Sequence, residues 1–325
     1  MKRRQFIVLL GGAAVSWPVS ARAQQPRIPA VGWLALGQFG PVNAFRQGLG
    51  EAGYVEGRNV AIEFRLADQL SLLPGLAADL VSREVDVIFA NGSPSAALAA
   101  KAATSTIPIV FISPEDPRKY ELVTRLNRPE GNLTGVNFRV AELAGKRLQL
   151  LSEIVPQTTT IAYLSGPPNS VVFENLRSDI LAAARTLGRD LLIVPVYQGN
   201  YDVAFSTIAK RGAGALIVGD YTIFFVPHNR KKILELVARY NIPAIYPNVV
   251  FAEDDGLMSY GPDAVALYRR LGSDYVGSIL KGAMPSDLPV QQPSKFEFVI
   301  NLKTAKAMGV NIPRILFAAA TQVIE

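Results

Sequence analysis

Residues 89–117 read FANGSPSAALAAKAATSTIPIVFISPEDP. Two short apolar runs, VDVIFA (Val85–Ala90) and IPIVFI (Ile107–Ile112), enclose a segment made largely of alanine. Six-residue apolar runs rich in Val and Ile suit buried strands, and the alanines between them suit a helix. A strand, a helix and a second strand in this order form a right-handed crossover between parallel neighbours. The loops after the two strands, NGSPS and SPEDP, therefore emerge at one end of one sheet. In open parallel sheets ligands bind beyond that carboxyl end. The loops supply Asn, Ser, Glu and Asp, and neither supplies His or Cys.

The same plan extends in both directions. IPAVGWLAL (Ile28–Leu36) reads as a buried strand, and Phe45, Leu49 and Ala52 follow at helical spacing up to Gly53. Val60, Ile62, Phe64 and Leu66 alternate with Ala61, Glu63 and Arg65, the period of a strand. Leu73, Leu76, Leu80 and Val81 mark a helix. A second unit then repeats the first. TIAYL (Thr160–Leu164), LLIVPV (Leu191–Val196), GALIVGD (Gly214–Asp220) and IPAIYP (Ile242–Pro247) are its strands, with helical spacing between them. Ile-Pro opens the fourth strand in both units, and Val31 to Val85 and Ile161 to Ala215 are each 54 residues apart.

Two such units predict an α/β protein with two Rossmann-like lobes, each a parallel sheet covered on both faces, and a ligand cleft between them. The tail adds a strand at GLMSYG (Gly256–Gly261), a helix over Val265–Leu280, a strand at KFEFVIN (Lys295–Asn301) and a short helix to Met308. It reads as crossing between the lobes again, so the hinge has several strands. GNLTGVNF and IYPNVVF, which flank the second unit, are the hinge candidates. The assignment is 27–136 with about 258–290 for the first lobe, and 137–257 with about 291–325 for the second.

Composition narrows the function. The 325 residues include no cysteine and one histidine, His228. Disulfides, thiolate nucleophiles and zinc–sulfur sites are excluded, and His-centred triads nearly so. His228 itself reads as a surface or cap residue. No Gly-x-Ser-x-Gly elbow is present. An exported α/β enzyme would have to work with carboxylates, Ser, Lys or Tyr. No cofactor and no metal are expected. The first residues, MKRRQFIVLLGGAAVSWPVSARAQQ, have a basic start, an apolar core from Phe6 to Val15 and a small-x-small site at Ala21-Arg22-Ala23. They read as an export signal over residues 1–23, which places the mature chain in the periplasm. Arg3-Arg4-Gln5-Phe6-Ile7 resembles a twin-arginine signal, and a general secretory signal is the alternative. The formal net charge is +6. Without Lys2, Arg3, Arg4 and Arg22 the mature chain carries +2, which is no nucleic-acid footprint.

The loops at strand ends name the candidate ligand contacts. Ser93 before Pro94 reads as a helix N-cap, and the helix N-terminus with Asn91, Ser93 and Ser95 suits a carboxylate. Ser93 is also open to the plain reading of a cap alone. Ser113 and Asp116 follow the neighbouring strand. Asp116 either meets a ligand amino group or caps a helix starting at Pro117. Gly37 and Gln38 follow the first strand, where glycine lets backbone approach a ligand. In the second lobe Asn169, Asp220 and Tyr221 follow strand ends. Tyr246 ends a strand near the expected hinge, where its ring either stacks on a ligand or packs in the core.

FRQGLGEAGYVEGRNVAIEFR, LAADLVSREVDVIFANGSPSAALAAKAATSTIPIVFI, LNRPEGNLTGVNF, GLMSYG and LPVQQPSKFEFVINLKTAKAMG, with the signal MKRRQFIVLLGG, carry a resemblance that spans nearly the whole chain. They resemble the ABC-transporter substrate-binding proteins of the tryptophan/tyrosine-uptake type. That resemblance implies a type I periplasmic-binding-protein fold, with two lobes, three crossovers and closure on a small ligand. It also implies an ABC permease as the membrane partner. A monomer is the expected state. One departure stands out: SGPPN (Ser165–Asn169) replaces the Asn-Pro-x-Asn-Pro often found there in the family, so contacts from that loop are expected to differ. The leading expectation is an exported protein that captures an amino acid or similar solute for a permease. A sensory module presenting its ligand to a receptor is the alternative.

Overall fold

The computed structural model describes residues 27–37, 40–114, 116–138, 140–168 and 171–325. The segment read as an export signal, Gln38 and Asn169 lie outside the described residues.

The first sheet has five parallel strands in the order β2-β1-β3-β4-β5. They are β1 (Ala30–Leu36), β2 (Ala61–Ala67), β3 (Val87–Asn91), β4 (Ile109–Ser113) and β5 (Leu133–Asn137). β1 and β3 to β5 lie inside the sheet or against its covered edge and are buried almost throughout, whereas the edge strand β2 is only half-buried. This explains why β2 alone shows the alternating pattern and the others read as continuous apolar runs. Helices α1 (Val42–Glu51), α2 (Leu73–Ser82) and α3 (Pro94–Ala103) join them. Gly53 (φ 94°) stops α1 in the left-handed conformation that a Cβ disfavours, while the Tyr54 N–H donates back to the Leu49 carbonyl at 2.8 Å. One face packs Ala77, Leu80, Ala96, Ala97 and Ala100 from α2 and α3. On the other face Trp33 meets Phe45 and Phe89 edge-on, with ring centroids 5.1 and 4.6 Å away.

The second unit begins with α4 (Val140–Ile154) and continues through β6 (Thr160–Ser165), α5 (Val171–Thr186), β7 (Asp190–Pro195), α6 (Tyr201–Lys210), β8 (Ala215–Val218), α7 (Pro227–Tyr240), β9 (Ala244–Tyr246) and α8 (Val249–Glu253). Then come β10 (Met258–Pro262), α9 (Ala264–Arg270), a π-helix over Leu271–Gly277 that runs into α10 (Ser278–Leu280), β11 (Phe296–Asn301), α11 (Leu302–Met308), α12 (Arg314–Ala319) and β12 (Gln322–Ile324). The seven strands of this sheet run β12-β11-β10-β9-β8-β6-β7, and only the β10–β11 pair is antiparallel. The orders 2-1-3-4 and 7-6-8-9 are the same winding used twice, as the matched spacing of the two units predicts.

Three differences from the sequence reading concern the crossings. GNLTGVNF is more than a hinge: its core is the buried strand β5, which fits because a Cβ at Gly135 would lie 2.0 Å from the Phe111 carbonyl oxygen of β4. IYPNVVF does not cross at all. It is β9 followed by α8, whose first turn is capped by Asn248 accepting from the Val250 N–H at 3.1 Å. The strand at Met258–Pro262 belongs to the second sheet, because it pairs with β9 through Met258–Ile245 and Ser259–Tyr246. The chain thus passes between sheets after Asn137, after Pro262 and before Phe296. The three passages are hydrogen-bonded together: the Asn137 N–H donates to the Gln291 carbonyl (2.9 Å) and the Asp263 N–H to the Lys295 carbonyl (3.2 Å).

The second passage returns α9 and the π-helix to the first sheet, where Leu267, Tyr268, Leu271 and Val276 close the core over Trp33 and Phe45. Contact with α1 is nearly backbone to backbone. A Cβ on Gly48 would lie 1.9 Å from the Arg269 carbonyl oxygen, and one on Gly272 2.3 Å from that of Phe45. Gly48→Ala is therefore expected to lower stability by about 1–3 kcal/mol through overpacking. Gly50→Ala, whose Cβ meets nothing within 4 Å, is expected to raise it by up to about 1 kcal/mol through helix propensity. Paired urea unfolding curves check this, and two variants shifting in the same direction would contradict it.

Candidate functional site

The loops at the carboxyl end of the first sheet are built on a buried polar row. Asn91 at the end of β3, Ser113 at the end of β4 and Asn137 at the end of β5 are all 2 % exposed or less. Asn137 was not among the residues singled out by the sequence reading, since it lies in the segment read as a hinge. The Tyr268 hydroxyl donates to Asn91 Oδ1 at 2.6 Å from beneath. This fixes the orientation of the Asn91 amide. Gly40 leaves the room: a Cβ there would lie 2.3 Å from the Tyr268 ring. Burial pushes the Tyr268 phenol well up from its ordinary value.

Above this row Ser93 caps α3, accepting from the Ser95 N–H at 3.1 Å, and Pro94 takes the first helical position. The Ser93 side chain is spent on its own helix in this geometry, and Ser95 is half-buried beside it. A helix N-terminus presents unpaired N–H groups and a partial positive charge. Gly37 (φ 71°) turns the chain out of β1, and its N–H donates to the Ala67 carbonyl at 2.7 Å, which ties the loop after β1 to the end of β2. Asp116 caps the turn at Pro117 by accepting from the Arg118 N–H at 3.0 Å. The Arg118 guanidinium also closes on both of its carboxylate oxygens, at 3.0 Å (Oδ1) and 2.6 Å (Oδ2), and holds Asp116 below the usual carboxylate range. Asp116 therefore already has a cationic partner.

In the second lobe Asp220 and Tyr221 follow β8. The Tyr221 ring lies over Gly166, just past β6, where a Cβ would come within 2.6 Å of it, and it meets Phe224 edge-on at 5.3 Å. Asp220 is gripped by Arg147 of α4, whose Nη1 donates to Oδ2 and whose Nη2 donates to Oδ1 at 3.1 Å. Arg147 is wholly buried, while the Asp220 side chain keeps 17 % of its surface exposed. The sequence reading missed Arg147. Its neighbours Ala144, Leu148 and Leu151 face the core, and that spacing was the available signal that position 147 shares the buried face.

Tyr246 is placed elsewhere than its reading as a ligand contact. Its ring is fully buried, stacked on Phe251 at 5.0 Å, and its hydroxyl has no hydrogen-bond partner among the described residues. The alternative left open for it, core packing, is the one that describes its position. An unpartnered buried hydroxyl is costly, so Tyr246→Phe is expected to leave ligand affinity unchanged and to raise stability by about 1 kcal/mol. Calorimetry with and without ligand checks both, and a loss of affinity would return Tyr246 to the site. A groove of about 570 Å³ between α11 and α12, lined by Leu302, Lys306, Arg314 and Phe317 among others, contains none of these residues.

Among the described residues no group of three or more His, Asp or Glu side chains is placed to hold a metal, and no helix is long and apolar enough to cross a membrane. The arrangement offers donors at one sheet's end and a clamped carboxylate with an aromatic ring at the other's.

Similar proteins fit this picture. The chain is 28% identical over 282 residues, 82% of its own length and 75% of the relative's, to the tyrosine-binding protein of Clostridioides difficile (strain R20291). Its fold overlaps that of an ABC domain from Streptococcus pneumonia solved in complex with L-Trp, with a TM-score of 0.78 and 25% identity, covering 91% of this chain and 99% of that one. It also overlaps a conserved domain protein from Vibrio cholerae O1 biovar eltor str. N16961, with a TM-score of 0.80 and 24% identity over 91% and 100% of the two chains. The two-lobed fold is that of type I periplasmic binding proteins. Residues 39–324 match the family described as ABC transporter substrate binding protein, and the chain belongs to that family.

Proposed function

We propose that the chain is exported to the periplasm, captures an amino acid or a close analogue between its two lobes, and delivers it to an ABC permease. The observation that carries the reading is the opposite polarity of the two strand-end sets. The α3 N-terminus with Ser93 and Ser95 suits a carboxylate. Asp220, partly exposed at the end of β8, suits an ammonium group. Tyr221, packed on Gly166, offers a ring face or edge to an apolar side chain. The tyrosine-binding relative and the L-Trp complex support the same ligand class. A ligand touching both lobes favours the closed arrangement, which the permease then reads.

The experiment is a thermal-shift screen of mature protein, unfolded and refolded to strip carried ligand, against amino acids, aromatic acids, amides and sugars. A ligand at 100 times its Kd stabilises by about 2.7 kcal/mol. Hits confined to amino acids support the reading. Hits confined to sugars, or none at all, overturn it.

A further inference from the structure

Arg147 is the least expected side chain in the molecule. It projects from α4 with no exposed surface, although arginine is almost never fully buried unless it is paired. Its donors reach three separate strands. Nη1 and Nη2 take the two oxygens of Asp220 after β8, Nε donates to the Tyr260 carbonyl of β10 at 2.7 Å, and Nη2 leans on the Pro247 carbonyl after β9 at 3.5 Å. β10 comes this close because Gly261 has no side chain: a Cβ there would lie 2.0 Å from the Pro247 carbonyl oxygen. Tyr260 stands three residues before Asp263, the residue that bonds the second passage to the third.

A buried ion pair is a weak source of net stability, since apolar residues of similar volume usually do as well. The geometry is specific in another respect. A carboxylate accepts about four hydrogen bonds. The planar guanidinium takes one position on each oxygen through Nη1 and Nη2 and so aligns the carboxylate plane, while the Asp220 side chain keeps 17 % of its surface exposed. Lysine, a single rotating point of charge, cannot impose that plane.

We propose that Arg147 is the positioning residue of the ligand site. It holds the Asp220 carboxylate in the plane that accepts a ligand ammonium group, and it anchors that carboxylate to the strand leading into the second passage between lobes. The proposal rests on the amino-acid reading above. It assigns amine recognition to a residue that itself never meets the ligand.

The test compares L-tryptophan with indole-3-propionate, which shares the ring and the carboxylate and lacks the amine, by calorimetry on refolded protein. L-Tyrosine and its deaminated analogue form the second pair. Wild type is expected to prefer the amine-bearing member of at least one pair by about 100-fold or more, because a site built around a hydrogen-bonding group rejects a ligand that leaves it unpaired. Arg147→Lys is expected to reduce that preference at least about tenfold while affinity for the deaminated member changes little. A residue that only supported the fold would weaken both members alike. If Arg147→Lys does not fold, Arg147→Gln gives the same comparison. An unchanged preference in the variant overturns the assignment and leaves the amino-acid reading intact. Wild type that binds no member of either pair overturns the assignment for these amines, and the broader screen above decides the amino-acid reading separately.

Discussion

Stability is expected to fall steeply as the pH is raised above 10. Tyr201, Tyr246, Tyr268 and Tyr275 are each 3 % exposed or less. Burial is the largest influence on all four phenols and pushes each of them up, Tyr201 to about 12. In the unfolded chain a phenol ionises near pH 10. Below that value both states keep these four protons, and the phenols contribute no pH dependence. Above it the unfolded chain gives up four protons that the folded chain retains. The unfolded state then binds fewer protons, and the slope of unfolding free energy with pH is negative. Each phenol removes about 1.4 kcal/mol per pH unit, or about 5 kcal/mol per unit for the four. Set against a total of about 5–15 kcal/mol for an ordinary protein, the loss is completed within one to three units. Urea midpoints at successive pH values, followed with phenolate absorbance, should show the four phenols ionising together with unfolding. Smooth ionisation of all tyrosines in a chain that stays folded would contradict the argument.

Asp220→Ala is expected to cost about 3–5 kcal/mol and to abolish ligand binding. The cost arises because Arg147 would be left wholly buried with its charge unmatched. Asp220→Asn keeps an acceptor for one guanidinium nitrogen and is expected to cost less. Replacing both partners, Asp220→Leu with Arg147→Met, is expected to recover most of the lost stability and none of the binding, because the buried charge goes with its partner. The contrast separates the pair's small net contribution from the large cost of breaking it. Unfolding midpoints of the four proteins check the order. Equal midpoints for Asp220→Ala and wild type would show that water reaches Arg147.

The double βα plan was legible because interior parallel strands announce themselves. VIFA within VDVIFA, IVFI within IPIVFI and ALIV within GALIVGD are continuous apolar runs, and β3, β4 and β8 formed on them. The cap at Ser93 was legible for the same local reason, since Ser-Pro admits few other conformations. What stayed hidden depends on contacts distant in sequence. β5 looked like a hinge because its glycine is explained only by the backbone of β4. β10 was given to the wrong sheet because pairing with β9 leaves no periodic mark on a five-residue strand. Arg147 was overlooked because a charge within GKRLQL reads as solvated until its partner, 73 residues away, is seen. Tyr246 shows the converse: a ring at a strand end can face a ligand or a core, and only the neighbours decide.

The return of α9 and the π-helix onto α1 also sets an order of events for a chain emerging from the ribosome. Trp33, Phe45 and Phe89 are made early, yet the residues that cover them, Leu267 to Val276, are made after the entire second sheet but for its last two strands. Until then the first lobe has one finished face and one greasy, open face. It cannot mature as an independent unit in the usual N-terminal-first manner. Its completion waits on contacts more than 200 residues apart, a separation that makes for slow folding. A nascent or truncated chain ending near Pro262 would carry a sticky half-lobe, exposed to aggregation until the return segment has been made.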